Sequence, residues 1–130
     1  MTIVEFLQER LAEDERIAKE SCAAGGQWRM DHNLDVITAN GSMTEGGQPG
    51  LLGQYAEHIA RQDPARVLRE VAAKRAILAE YPAGFDLNIN YAVVIVGGRE
   101  MSARPPSPVF VRALAASYAD HPEYQADWAL

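Results

Sequence analysis

The chain is short of cysteine, of basic charge and of long apolar runs. Cys22 is the only cysteine, so no intramolecular disulfide can form and no multi-thiolate zinc site can be built. A reducing compartment is the expected setting. Twelve lysines and arginines stand against eighteen aspartates and glutamates, a net charge of −6. That balance disfavours nonspecific adhesion to nucleic acid or to an anionic membrane surface. The longest apolar run, residues 91–96, has the length of a strand, whereas a membrane-spanning helix needs about 20 apolar residues. The opening residues turn acidic at Glu5 and carry neither a basic leader nor an apolar secretory core, so a cytoplasmic location is expected. Repeats and low-complexity tracts are absent. Gly46-Gly47 is followed by no lysine, and Gly97-Gly98 lacks the pattern of a phosphate loop. Neither a cofactor nor a metal site is expected.

What is present suits one domain. The 130 residues are 48% hydrophobic and 23% charged, ordinary values for a chain able to bury its own core. Thr2-Ile3-Val4-Glu5 reads as a capping box that opens a helix running to about Cys22. Projection at about 100° per residue places Val4, Leu7, Leu11, Ala18 and Cys22 on one stripe, widened by Phe6 and Ile17. Gly25-Gly26 ends it. The period then shortens: Trp28 and Met30 alternate, followed by Leu34, Val36 and Thr38. Asn40-Gly41 predicts a type I′ hairpin turn with a return strand over residues 42–44, and residues 45–50 read as a glycine-rich loop.

Residues 51–62 predict a short helix. Asp63-Pro64 restarts the chain as N-cap and first helical residue. The helix that follows carries Val67, Leu68, Val71 and Leu78 on one face, with Ile77 and Tyr81 beside them, and ends before Pro82. Residues 85–97 alternate as a strand that becomes apolar on both faces, expected to pair with the earlier hairpin. Residues 97–106 read as a loop. Ser107-Pro108 opens a last helix with Phe110, Val111, Leu114 and Tyr118 on its apolar stripe, closed by His121-Pro122. Tyr124 and Trp128, four apart, are placed to stack, and Trp128 is expected to dock back onto the fold. The fold class is therefore α+β and mostly helical: three main helices and a small antiparallel sheet made of a β-hairpin and one further strand.

The segments Thr2-Ile3-Val4-Glu5-Phe6-Leu7 and Leu11-Ala12-Glu13-Asp14-Glu15, Trp28 after its glycine break, the helical stretch from Ala56 to Leu78, and Tyr118-Ala119-Asp120-His121-Pro122-Glu123-Tyr124 with Trp128 occur in that order. Together they resemble a family of small proteins of unknown function from actinobacteria and their phages. Residues 28–78 are also similar to parts of phage-encoded accessory proteins. The resemblance implies an accessory rather than a metabolic role and supplies no catalytic residue.

Several residues are candidates for chemistry. Asp14 projects into the apolar arc of its helix, as Arg75 does on the later one. A carboxylate there needs a partner, and an interhelical pair between Asp14 and Arg75 is the economical reading. His58 with Asp63, joined by Asp14, would suit a metal or a proton relay. The competing reading has His58 packing at a helix junction and Asp63 occupied as a cap. His121 suits the negative end of a helix. Trp28, Tyr118, His121, Tyr124 and Trp128 form a candidate binding set, or else seal a core edge. Cys22 reads as a buried, inert thiol. The leading functional expectation is a non-catalytic module that binds a protein partner or a second copy of itself. A small metal-dependent hydrolase and an acidic inhibitor of a nucleic-acid enzyme are the alternatives. Membrane and nucleic acid are not expected partners.

Overall fold

The capping box forms as written. The Glu5 amide donates to Thr2 Oγ1 at 3.2 Å, and the Thr2 amide donates to Glu5 Oε2 at 2.7 Å. From it grows α1, Ile3–Glu20, continued by a 3-10 turn over Ser21–Ala24. The computed structural model describes residues 1–42, 53–81, 92–96, 99–103 and 107–130. The other elements are β1 (Arg29–Met30), β2 (Val36–Thr38), β3 (Gly41–Ser42), α2 (Gly53–Arg61), α3 (Pro64–Ala79), β4 (Ala92–Val96), β5 (Arg99–Ala103) and α4 (Val109–Ala116), with a 3-10 turn at Ala126–Trp128. The fold is mostly helical α+β with a small three-stranded antiparallel sheet. The chain divides into two units, one made of Met1–Arg10 and Lys74–Leu130, the other of Leu11–Ala73.

The capping carboxylate has a pH signature. Glu5 sits below its ordinary pKa of 4.5, first because the Thr2 amide bonds its charged form and then because the Thr2 hydroxyl does. A depressed carboxylate contributes fully above its ordinary value, and that contribution is lost as pH falls through the lowered one. Thermal melts between pH 6 and pH 3 should show the parent protein losing more stability than Glu5→Gln. Identical acid limbs would mean that the box adds nothing.

The first unit is built around Phe6. Ile3, Val4, Phe6 and Leu7 from α1 are buried, as are Leu78, Tyr81, Val111, Ala115 and Trp128. Ser107 is not the cap of α4. Pro108 is the N-cap, and its carbonyl accepts from Val111 and Arg112, while Ser107 uses its carbonyl on Arg112 Nε. Arg112 also donates to the Ala129 carbonyl at 2.6 Å, and Gln125 Nε2 donates to the Met1 carbonyl at 3.2 Å, so the tail is tied at both its ends. Phe110 and Ile77, expected on apolar stripes, are exposed. Each lies on the outer edge of its stripe, where a helix narrower in contact than in composition leaves a side chain in water.

β4 pairs with β5, from Ala92↔Ala103 to Val96↔Arg99, and not with the earlier hairpin. β5 therefore replaces part of the predicted loop. A partner two residues away along the chain closes a far shorter loop than one fifty residues back, and that entropy favours the local hairpin. The predictions on residues 43–52, 82–91, 97–98 and 104–106 fall outside the described residues.

In the second unit, β1, β2 and β3 form an antiparallel meander with registers Met30↔Val36 and Thr38↔Gly41. Its first turn was hidden in the sequence. Asp31 Oδ1 accepts from the amides of Asn33 and Asp35, and the Leu34 amide donates to the Asp31 carbonyl. This Asx-type turn puts Leu34 at φ +63° and 44% exposed, not in the core. The second turn is not type I′. Its central residues are Ala39 and Asn40, and neither has the positive φ that type requires; only Gly41 does, at +114°. Thr38 Oγ1 closes it by accepting from the Asn40 amide and donating to the Gly41 carbonyl. The helix α2 lies on β1 and β2, burying Ala56 and Ala60 against Val36, with Trp28 alongside.

Candidate functional site

The site is built outward from Trp28. Gly25 turns the chain at φ +93°, and its carbonyl accepts from the Trp28 indole Nε1 at 3.2 Å. The Trp28 amide donates to Asp63 Oδ2 at 3.1 Å, and Asp63 Oδ1 accepts from the Arg66 amide at 2.7 Å. One carboxylate thus caps α3 and pins the segment just before β1 that carries the indole. The Ala65 amide donates to the Gly26 carbonyl at 2.9 Å, a second tie between the same two segments. The sequence predicted the cap but not its second task.

Two open clefts meet at Trp28. One, of about 220 Å³, is lined by Ile17, Ala18, Trp28, Pro64 and Val67, with Asp14, Ser21 and Gln62 as its polar lining. The other, of about 490 Å³, is lined by Gln27, Trp28, Arg29, Ile37, Thr38, Ala39, Asp63 and Arg69. Ile17 was expected to widen the apolar stripe of α1, yet it is 49% exposed and belongs to the first cleft.

The acidic run of α1 is divided in use. Glu13 and Glu20 hold Arg16 at 2.6 and 2.8 Å, and Glu15 holds Lys19 at 2.6 Å. Glu13 first, and then Glu20, raise the Arg16 pKa by bonding the charged guanidinium. These are solvated pairs along one helix, of small energetic weight. Asp14 is half-buried and lines the apolar cleft, and Arg75 on α3 is exposed. The residues proposed for metal chemistry stand differently. His58 is exposed near the end of α2, and both Asp63 oxygens are engaged by backbone amides. Among the described residues no three His, Cys, Asp or Glu side chains gather closely enough to hold a metal ion. Cys22 is half-buried rather than enclosed.

The remaining candidates form an aromatic knot in the first unit. Phe6 lies 5.0 Å from Trp128, 5.6 Å from His121, and 6.2 Å from each of Tyr118 and Tyr124, measured between ring centroids. Tyr124 meets Trp128 edge-on at 5.8 Å. Arg10 sits 5.7 Å over the Phe6 ring and donates to His121 Nε2. His121 Nδ1 faces the Glu123 amide. Edge-to-face geometry of this kind fits rings packed against one another.

A family model matches residues 1–130. The chain belongs to DUF6221, a family of unknown function. No curated protein and no solved structure matches it. Membership in DUF6221 therefore carries no assigned activity to this chain, and its site rests on the geometry above. Among the described residues no helix is long and apolar enough to cross a membrane.

Nothing in the sequence of this DUF6221 member joins Arg29 to Arg69. The basic residues of α3 looked scattered around the helix. Arg66 is taken by Glu70 at 2.7 Å, while Arg69 shares the larger cleft with an arginine forty residues earlier. Only the approach of β1 to the start of α3 joins them, and no periodicity records it.

Proposed function

We propose that this DUF6221 chain is a non-catalytic accessory protein that binds another protein through the surface around Trp28. The observation that carries this reading is the pair of open clefts meeting at an indole held in place by two backbone ties. An apolar cleft flanked by polar groups is the usual form of a recognition site. The reading needs neither metal nor cofactor. It places the protein in the cytoplasm, in keeping with its lone cysteine, and assigns it to the mobile-element functions of actinobacteria and their phages, on the resemblance of residues 28–78 to phage accessory modules.

Affinity capture from the source cell, with the native chain and with Ile17→Lys as baits, tests it. Ile17 is exposed, so the variant should fold normally, and equal melting temperatures check this. A partner held by the native chain and lost by the variant is the expected result. Capture indifferent to Ile17→Lys would overturn the reading. So would light scattering that shows the native chain only as a dimer disrupted by that change, because the occupant would then be a second copy.

A further inference from the structure

We infer that the larger cleft recognises a carboxylate side chain of the partner, presented a few residues from an apolar side chain that fills the neighbouring cleft. This deepens the proposed function and rests on it. Arg29 and Arg69 line one cleft, both exposed, and neither is engaged by any carboxylate among the described residues. Elsewhere in this chain of net charge −6, arginines are held: Arg16 by Glu13 and Glu20, Arg61 by Glu57, Arg66 by Glu70. Two uncommitted guanidinium groups around a concave surface favour an oxyanion that can accept from both.

The third charge in the cleft decides which oxyanion. Asp63 lines it too, and its carboxylate already takes the Arg66 amide at the start of α3. The helix terminus is thus satisfied and offers an incoming anion nothing. Two arginines and one aspartate leave a single positive charge, which a carboxylate neutralises and a phosphate dianion would overshoot. Trp28 lines both clefts and fixes the step between them, so the apolar and acidic groups of the partner must lie close together along its chain. Extended backbone advances about 3.3 Å per residue, so a spacer of one residue is the first to test.

The probe is acetyl-Gly-Leu-Gly-Glu-Gly-amide, titrated into the full chain while the Trp28 indole and the Arg29 and Arg69 amides are followed by NMR. Counterparts carry glutamine or phosphoserine in place of glutamate. The expected result is saturable shifts at those three residues, with affinity about tenfold weaker for the glutamine peptide. The same peptide should fail against Arg29→Glu/Arg69→Glu, while a lysine counterpart gains affinity for that variant. Equal binding of the glutamate and glutamine peptides, tighter binding of the phosphoserine peptide, or shifts confined to other surfaces would each overturn the inference. Partner capture that is lost with Ile17→Lys but unchanged in Arg29→Glu/Arg69→Glu would overturn it too, while leaving the proposed function standing.

Discussion

Phe6→Ala should destabilise the protein by about 3–5 kcal/mol. Phe6 is fully buried and meets four other rings. Removing it deletes its own transfer free energy and opens a void whose walls are rigid aromatics, which collapse poorly into the space. The loss goes beyond area, because the edge-to-face contacts with Tyr118 and Tyr124 vanish along with the cation–π contact to Arg10. Urea denaturation gives the measurement: the midpoint should fall with the slope unchanged. Phe6→Leu keeps most of the volume and should cost markedly less. A loss under about 1 kcal/mol for the alanine variant would mean that the knot is not the core of the first unit.

Asp63→Ala should cost about 2–3 kcal/mol. Loss of an N-cap alone is worth about 0.5–2 kcal/mol. Here the same carboxylate also accepts the Trp28 amide from 35 residues away, and a donor left unpaired in a partly buried place adds about 1–3 kcal/mol, an increment that does not sum fully with the first. Asp63→Asn separates the two roles. Its amide oxygen can still cap α3 while its NH2 group, a donor, cannot accept from the Trp28 amide, so it should recover part of the loss. The indole resonance of Trp28 should move in both variants, since the Asp63 bond to its own backbone amide helps hold that residue between its clefts. If Asp63→Ala costs no more than an ordinary cap and leaves the indole unshifted, the tie from Asp63 to Trp28 has no weight.

Local chemistry was the most legible part of this chain. The capping box at Thr2 and Glu5, the stop at Gly25 and the restart at Asp63-Pro64 are each settled within a few residues, by hydrogen-bond donors and a fixed φ that the sequence spells out. The apolar stripe of α1 was right at Val4, Leu7 and Leu11 and too wide at Ile17. Val67 and Leu68 on α3 are half-buried, whereas Val71 and Leu78 are buried. Periodicity gives the direction of a helix face but not how far its neighbours extend over it. The turns failed for another reason. Asp31 organises the first turn with a side chain and leaves Leu34 in the left-handed region, which no propensity favours, and Thr38 Oγ1 organises the second in place of the type I′ turn that Asn40-Gly41 signals.

For the candidate site the division is sharper. Trp28 and Asp63 were visible one by one, as an aromatic after a glycine break and as a cap. Their hydrogen bond was not, and neither was the shared cleft of Arg29 and Arg69, because proximity between distant residues has no period to read. The chain by itself determined where α1 and α3 begin, the mostly helical α+β class and the family to which it belongs, since capping and amphipathicity act over one or two turns; it misplaced the last helix, which opens after Pro108 and closes at Ala116 rather than at His121-Pro122. Tertiary packing decided which strands pair, which apolar residues stay wet and which charges face one another. Those outcomes depend on loop entropy and on surfaces that exist only once the elements have met.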